Sequence, residues 1–124
     1  MKNVICRFLL LVIVACLSTS SIAGITDDEK TVLLVVHCTV VFGDKANASM
    51  LYQKDRQQFE VVYRLIQQDI RKRYSIDDGD KIWMKAMVTV ADHTSKQSAS
   101  KRVEDCRKFV DGEIDYFTGM GLVR

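Results

Sequence analysis

A chain of 124 residues, 48% hydrophobic and 27% charged, has material for one small domain with a modest core. Its formal charge of +2 is too small for a general electrostatic pull toward nucleic acid or anionic lipid, so nucleic-acid binding is disfavoured. The absence of proline and the six glycines point away from collagen-like or low-complexity architecture.

The first residues read as an export signal. Lys2 and Arg7 give a cationic start, Phe8 to Leu17 is an apolar run, and Ser21-Ile22-Ala23 offers the small residues that a signal peptidase reads. At about ten residues the run is about half of what a membrane-spanning helix needs. The pattern predicts a signal peptide over residues 1–23, cleaved before Gly24, and a helical domain over 24–124. Ile13-Val14-Ala15-Cys16 is also a lipobox, an alternative in which the signal ends at residue 15 and Cys16 is lipidated. That route alone would tether the chain to a membrane. Either way the expected location is outside the cytoplasm, with the periplasm foremost.

Processing simplifies the charge and cysteine arithmetic. Two of the eighteen bases, Lys2 and Arg7, lie in the leader, leaving sixteen against sixteen acids. Of four cysteines, Cys6 and Cys16 fall in the same segment, so Cys38 and Cys106 remain. An even pair in an oxidising compartment predicts one disulfide. Closing a loop of about 69 residues would stabilise the fold by about 4 kcal/mol in the chain-entropy picture.

Four helical patterns follow. The first opens on Thr26-Asp27-Asp28-Glu29, a capping box with acids in the first turn, and continues through Val32–Val36, Cys38 and Val40–Phe42. Its β-branched content makes a strand the competitor. The cap, and the lack of any second strand pattern to pair with, decide for helix, ending at Gly43 or running to about Asn47. The second shows Tyr52, Phe59, Val62, Ile66 and Ile70 at helical spacing and ends in Arg71-Lys72-Arg73, cations suited to a helix C-terminus. Asp77-Asp78-Gly79-Asp80 reads as a turn in which Asp80 caps a third helix, with Trp83, Ala86, Met87, Val90 and Thr94 as its stripe. Ser95 to Ser100 is a polar link, and Ser98 or Ser100 can cap the fourth helix. Val103, Cys106, Val110, Ile114 and Phe117 form its stripe, and Gly119 and Gly121 stop it. The expected fold is all-α, a single-domain up-down-up-down four-helix bundle with one disulfide. In that register Cys38 and Cys106 come to one level of an antiparallel pair.

Chemistry-bearing motifs are scarce. His37 and His93 reach a similar height to the cysteines, which raises a Cys2His2 zinc site, but the paired spacings of such sites do not occur and a bridged cysteine pair could not ligate. Haem attachment lacks its Cys-x-x-Cys-His, and Met50, Met84 and Met87 read as core or boundary fillers. The acids at 77–80 are adjacent rather than alternating and lack the distal glutamate of a calcium loop. Asn47-Ala48-Ser49 is a formal glycosylation sequon, read as chance. There is no nucleophile elbow, phosphate-cradling loop or His-Glu-x-x-His, so no catalytic, cofactor or metal residues are assigned and an enzyme is not expected. Tyr63, Phe109 and Tyr116, flanking the stripes, are the one pointer to a partner surface.

The sequence thus leads to a small exported helical binding protein of the cell envelope, of inhibitor, immunity or chaperone type, acting on another protein by surface complementarity. A bundle holding a metal or haem is the alternative. Mass spectrometry of protein recovered from cells should find an N-terminus at Gly24. A diacylglyceryl mass on Cys16 would establish the lipoprotein route, and intact Met1 would overturn both.

Overall fold

The computed structural model describes residues 26–93 and 96–123; the expected signal peptide (residues 1–23) with Cys16, and also Gly24, Ile25, Thr94, Ser95 and Arg124, lie outside the described residues. Among these the chain forms α1 (Asp27–Gly43), a 3₁₀ helix (Lys45–Met50), α2 (Gln53–Arg73), α3 (Ile76–Asp92) and α4 (Ala99–Gly119), with no strand. Contacts divide the chain into Met1–Lys30 and Thr31–Arg124, and the bundle is built within the second unit. None of the described helices is long and apolar enough to cross a membrane.

The first turn of α1 is the expected capping box: Glu29 N–H donates to Thr26 Oγ1 at 3.1 Å and Thr26 N–H to Glu29 Oε1 at 3.0 Å. α1 is a helix despite its valines because Val32, Val35, Cys38 and Val41 fall on one face and are buried together. Gly43 ends it. Asp44 then caps the 3₁₀ helix by accepting from Ala46 N–H at 2.9 Å.

Ile70 of α2 lies against Gly79 of α3, and Tyr63 meets Trp83 at 5.6 Å between ring centroids, so these helices run antiparallel about the short link at Tyr74-Ser75. Phe42 at the end of α1 meets Phe59 near the start of α2 at 5.3 Å, edge to face. Cys38 and Cys106 close the circuit from α1 to α4 with 5.6 Å between their Cα atoms, inside the range that a disulfide tolerates. The up-down-up-down bundle and the Cys38–Cys106 disulfide are as the sequence leads one to expect.

Three local readings need correction. α3 starts at Ile76, not after Asp80: Ser75 Oγ accepts from Asp78 N–H at 3.1 Å, and Asp77 and Asp78 occupy the first turn, where they complement the helix dipole. Gly79 is therefore helical and buried, not a turn residue; the left-handed glycine is Gly121 (φ 79°), just past α4. With the earlier start the buried positions of α3 are Gly79, Ile82 and Ala86, while Met87 is exposed. Tyr52 precedes α2 as its N-cap and points to solvent, whereas Val62, Ile66 and Ile70 are buried as expected. α4 follows the sequence reading closely, with Ser98 as cap and Val103, Cys106, Val110 and Phe117 buried.

The centre of the bundle is made of small side chains. Its fully buried residues are Val32, Val35, Val62, Val103 and the two bridged cysteines, with no ring among them. Each buried valine contributes only about 1.5–3 kcal/mol, so the bridge is a large part of what holds the domain. Cys106→Ala should cost about 2–5 kcal/mol in chemical denaturation, and thiol titration of the denatured, unreduced protein should find neither Cys38 nor Cys106 free.

Candidate functional site

Three places bring polar or apolar side chains together in ways that core packing alone does not require. The first surrounds the ion pair of Asp55 and Arg107. Asp55 occupies the first turn of α2 and is only 5% exposed. Its Oδ2 accepts from Tyr52 N–H at 2.8 Å and from Arg107 Nε and Nη2 at 3.1 and 3.0 Å. The same guanidinium donates to the Met50 carbonyl and lies over the Tyr52 ring, 5.2 Å from its centroid. Burial by itself would raise the Asp55 carboxyl; the hydrogen bonds from Arg107 and Tyr52 outweigh it and hold the group below its ordinary value. Nε and Nη2 of Arg107 are bonded to Asp55 and Met50, so the network is a clasp fastening the entry of α2 to α4. The sequence reading missed it, although an acid at the third position of a helix and an arginine beside a buried cysteine were visible signals.

The second is a groove of about 540 Å³ between α1 and the C-terminal end of α3. Leu33, Leu34, Val40 and Val90 give it an aliphatic wall, and His37, His93 and Arg102 enter it from α1, the end of α3 and the first turn of α4. The two histidines thus come to one cavity, but Cys38 faces the other way into the core and is bridged to Cys106, so the four do not assemble as a zinc set. Among the described residues no group of three or more His, Cys, Asp or Glu is placed to hold a metal ion. Burial, then Arg102 and His93, push the His37 imidazole below its ordinary value, with Asp105 pulling the other way.

The third is the outer face of α3. At about 100° per residue, Met84, Val88 and Ala91 lie opposite the buried Ile82 and Ala86, while Ile76, Trp83 and Met87 turn toward α2. Ile76 is 83% exposed, Met84 59% and Val88 57%. Tyr63 of α2 and Tyr74 of the link that follows it join Trp83 and Ile76 around a groove of about 560 Å³. Asp77, Asp80 and Lys81 border Met84 on the other side. The methionines expected in the core or at its boundary, Met84 and Met87, are thus surface residues of this face.

The remaining sequence candidates fall elsewhere. Asn47 is 2% exposed and its Nδ2 donates to the Val41 carbonyl at 2.9 Å, so the sequon nitrogen is committed inside the fold. Asp77–Asp80 belong to the start of α3. Tyr63 and Phe109 are half-buried against the core, and Tyr116 is exposed beside Phe117. No protein-family model, curated protein or solved structure matches this chain.

The clasp yields a signed pH dependence. Because the Asp55 carboxyl titrates lower in the folded chain than in the unfolded one, its contribution is complete above the unfolded carboxylate range of about pH 4–5 and is lost as pH falls through the folded value. Asp55→Asn should lower stability at pH 7 by about 2–3 kcal/mol, since it leaves Arg107 without its counter-charge, and should flatten the acid limb of a stability–pH profile.

Proposed function

We propose that this chain is a small binding protein that recognises another protein through the outer face of α3 and the adjoining rings of α2. It works outside the cytoplasm, in the envelope, as an inhibitor, immunity protein or chaperone does, by surface complementarity and without catalysis. The observation that carries the reading is the set of exposed apolar side chains on α3, with Ile76, Met84 and Val88 all more than half exposed. Each leaves apolar area in water at a cost of about 25 cal/mol per Å², which a partner covering this helix would recover.

The surroundings suit that role. Trp83 and Tyr63 are half-buried and hold one another, so they offer aromatic anchors whose side-chain order is already set before a partner arrives. Met84 and Met87 are unbranched and can adjust to a partner's contours. Asp77, Asp80 and Lys81 supply the polar rim. Export is supported by the leader pattern and by the Cys38–Cys106 bridge, a bond that oxidising compartments preserve.

A photo-crosslinking residue placed at Met84 in living cells should capture one defined partner protein, and the same residue at the exposed Lys108 of α4 should not. Adding Val88→Glu should abolish the Met84 crosslink while changing stability by less than about 1 kcal/mol, because Val88 is outside the core. Equal crosslinking from both positions, or none from Met84, would remove the α3 face as the binding surface.

A further inference from the structure

The groove between α1 and α3 is separate from that face and has a different chemistry. Its walls are aliphatic: Leu33, Leu34 and Val40 follow one flank of α1, and Val90 faces them from α3. Among the described residues no Phe, Tyr or Trp lines it, so it offers mainly hydrocarbon contact. His37, His93 and Arg102 converge on it from α1, the end of α3 and the first turn of α4.

Among the described residues the groove's charged groups are Arg102 and Asp44, beside the imidazoles of His37 and His93. Arg102 donates through Nη1 to the Gln97 carbonyl at 2.5 Å and makes no ion pair among the described residues. Its fork has five N–H donors, of which that bond uses one. The nearby carboxylates are occupied elsewhere: Asp105 pairs with Lys101 Nζ at 2.5 Å, and Asp44 accepts from Ala46 N–H. His37 stands close enough to Arg102 to feel it. Arg102 therefore keeps guanidinium donors that a ligand in the groove can meet.

We propose that this groove binds an aliphatic monocarboxylate, its hydrocarbon chain lying on Leu33, Leu34, Val40 and Val90 and its carboxylate accepting hydrogen bonds from Arg102, His37 and His93. A planar carboxylate matches the fork of a single guanidinium. A phosphate dianion would call for more fixed cations than the one present. Burial, and then Arg102 and His93, lower the basicity of His37, and a carboxylate bound beside it would oppose that shift.

The test uses the full chain as purified and sodium decanoate below its micellar concentration, followed by calorimetry and amide chemical-shift mapping. One molecule should bind saturably, with the largest shifts at Leu33, His37, Val40, Val90 and Arg102. Decanol and decyltrimethylammonium, which share the tail, should bind at least about ten-fold more weakly, because each lacks the charge that Arg102 would meet. Arg102→Gln should weaken decanoate about ten-fold. Binding should tighten as pH falls and His37 gains its proton, which adds to Arg102 against the fixed acids Asp44 and Asp105. His37→Gln serves as a second variant should Arg102→Gln disturb folding, and it should diminish that pH dependence. Failure of the wild-type chain to bind decanoate saturably would overturn the proposal. So would equal affinity for decanol, or undiminished affinity in folded Arg102→Gln and His37→Gln.

Discussion

The bridge between Cys38 and Cys106 sits at the centre of a core whose other fully buried members are four valines. Small side chains bring helices close but bury little area per residue, so such a core is weak for its length. A covalent tie between α1 and α4 offsets this by restricting the unfolded chain, and it also sets the register of the two helices. The next residue extends its reach. Arg107 follows Cys106 around α4 by one position and emerges toward the start of α2, where Asp55 and the Met50 carbonyl receive it. Two adjacent residues of α4 therefore fix α1 covalently and the entry of α2 by a hydrogen-bonded ion pair. Removing Cys106 would loosen the platform from which Arg107 works.

α3 stands outside this arrangement. Neither the disulfide nor the Arg107 clasp includes it; what it gives the core is Gly79, Ile82 and Ala86, a narrow contribution. Yet its apolar residues extend well beyond that stripe, through Trp83 and Met87 to Met84 and Val88. A helix serving only its own core would place polar residues there, as α2 does with Arg64 and Gln68. The excess is lopsided: α1 carries a similar surplus in Leu34 and Val40 on the flank facing the other groove. The crosslinked part of the bundle acts as the scaffold, and the apolar excess on α1 and α3 is available for recognition.

Much of this fold was legible because helical periodicity and capping are local. Thr26 with Glu29, Ser98, and the Val103–Cys106–Val110–Phe117 stripe could be read directly, since each depends on residues within a turn or two. The disulfide was legible from cysteine number and matched height. The start of α3 was not, because two local signals competed. Asp-Asp-Gly-Asp has the composition of a turn, while Ser75 offers a cap three residues before Asp78, and the burial of Gly79 against Ile70 decides for the helix. That long-range contact is invisible to a window of neighbours, and misplacing the start rotated the supposed stripe from Ile82 onto Met87.

The candidate sites were harder to read for the same reason. His37 and His93 are 56 positions apart, and nothing in their spacing distinguishes a shared groove from two solvent-facing rings. Metal and nucleophile motifs are recognisable in sequence because coordination and proton transfer demand fixed residue types within reach of one another. Surface complementarity demands only area and shape, which many sequences supply. The usable signal in this chain is one of excess: more apolar positions on α3 than its packing consumes. That excess can be counted only after the buried face is known, so the phase of the helix has to be settled before its function can be argued. Once Ile82 and Ala86 are placed inside, Met84 and Val88 can no longer be core residues, and their exposed area becomes the basis for the partner surface proposed above.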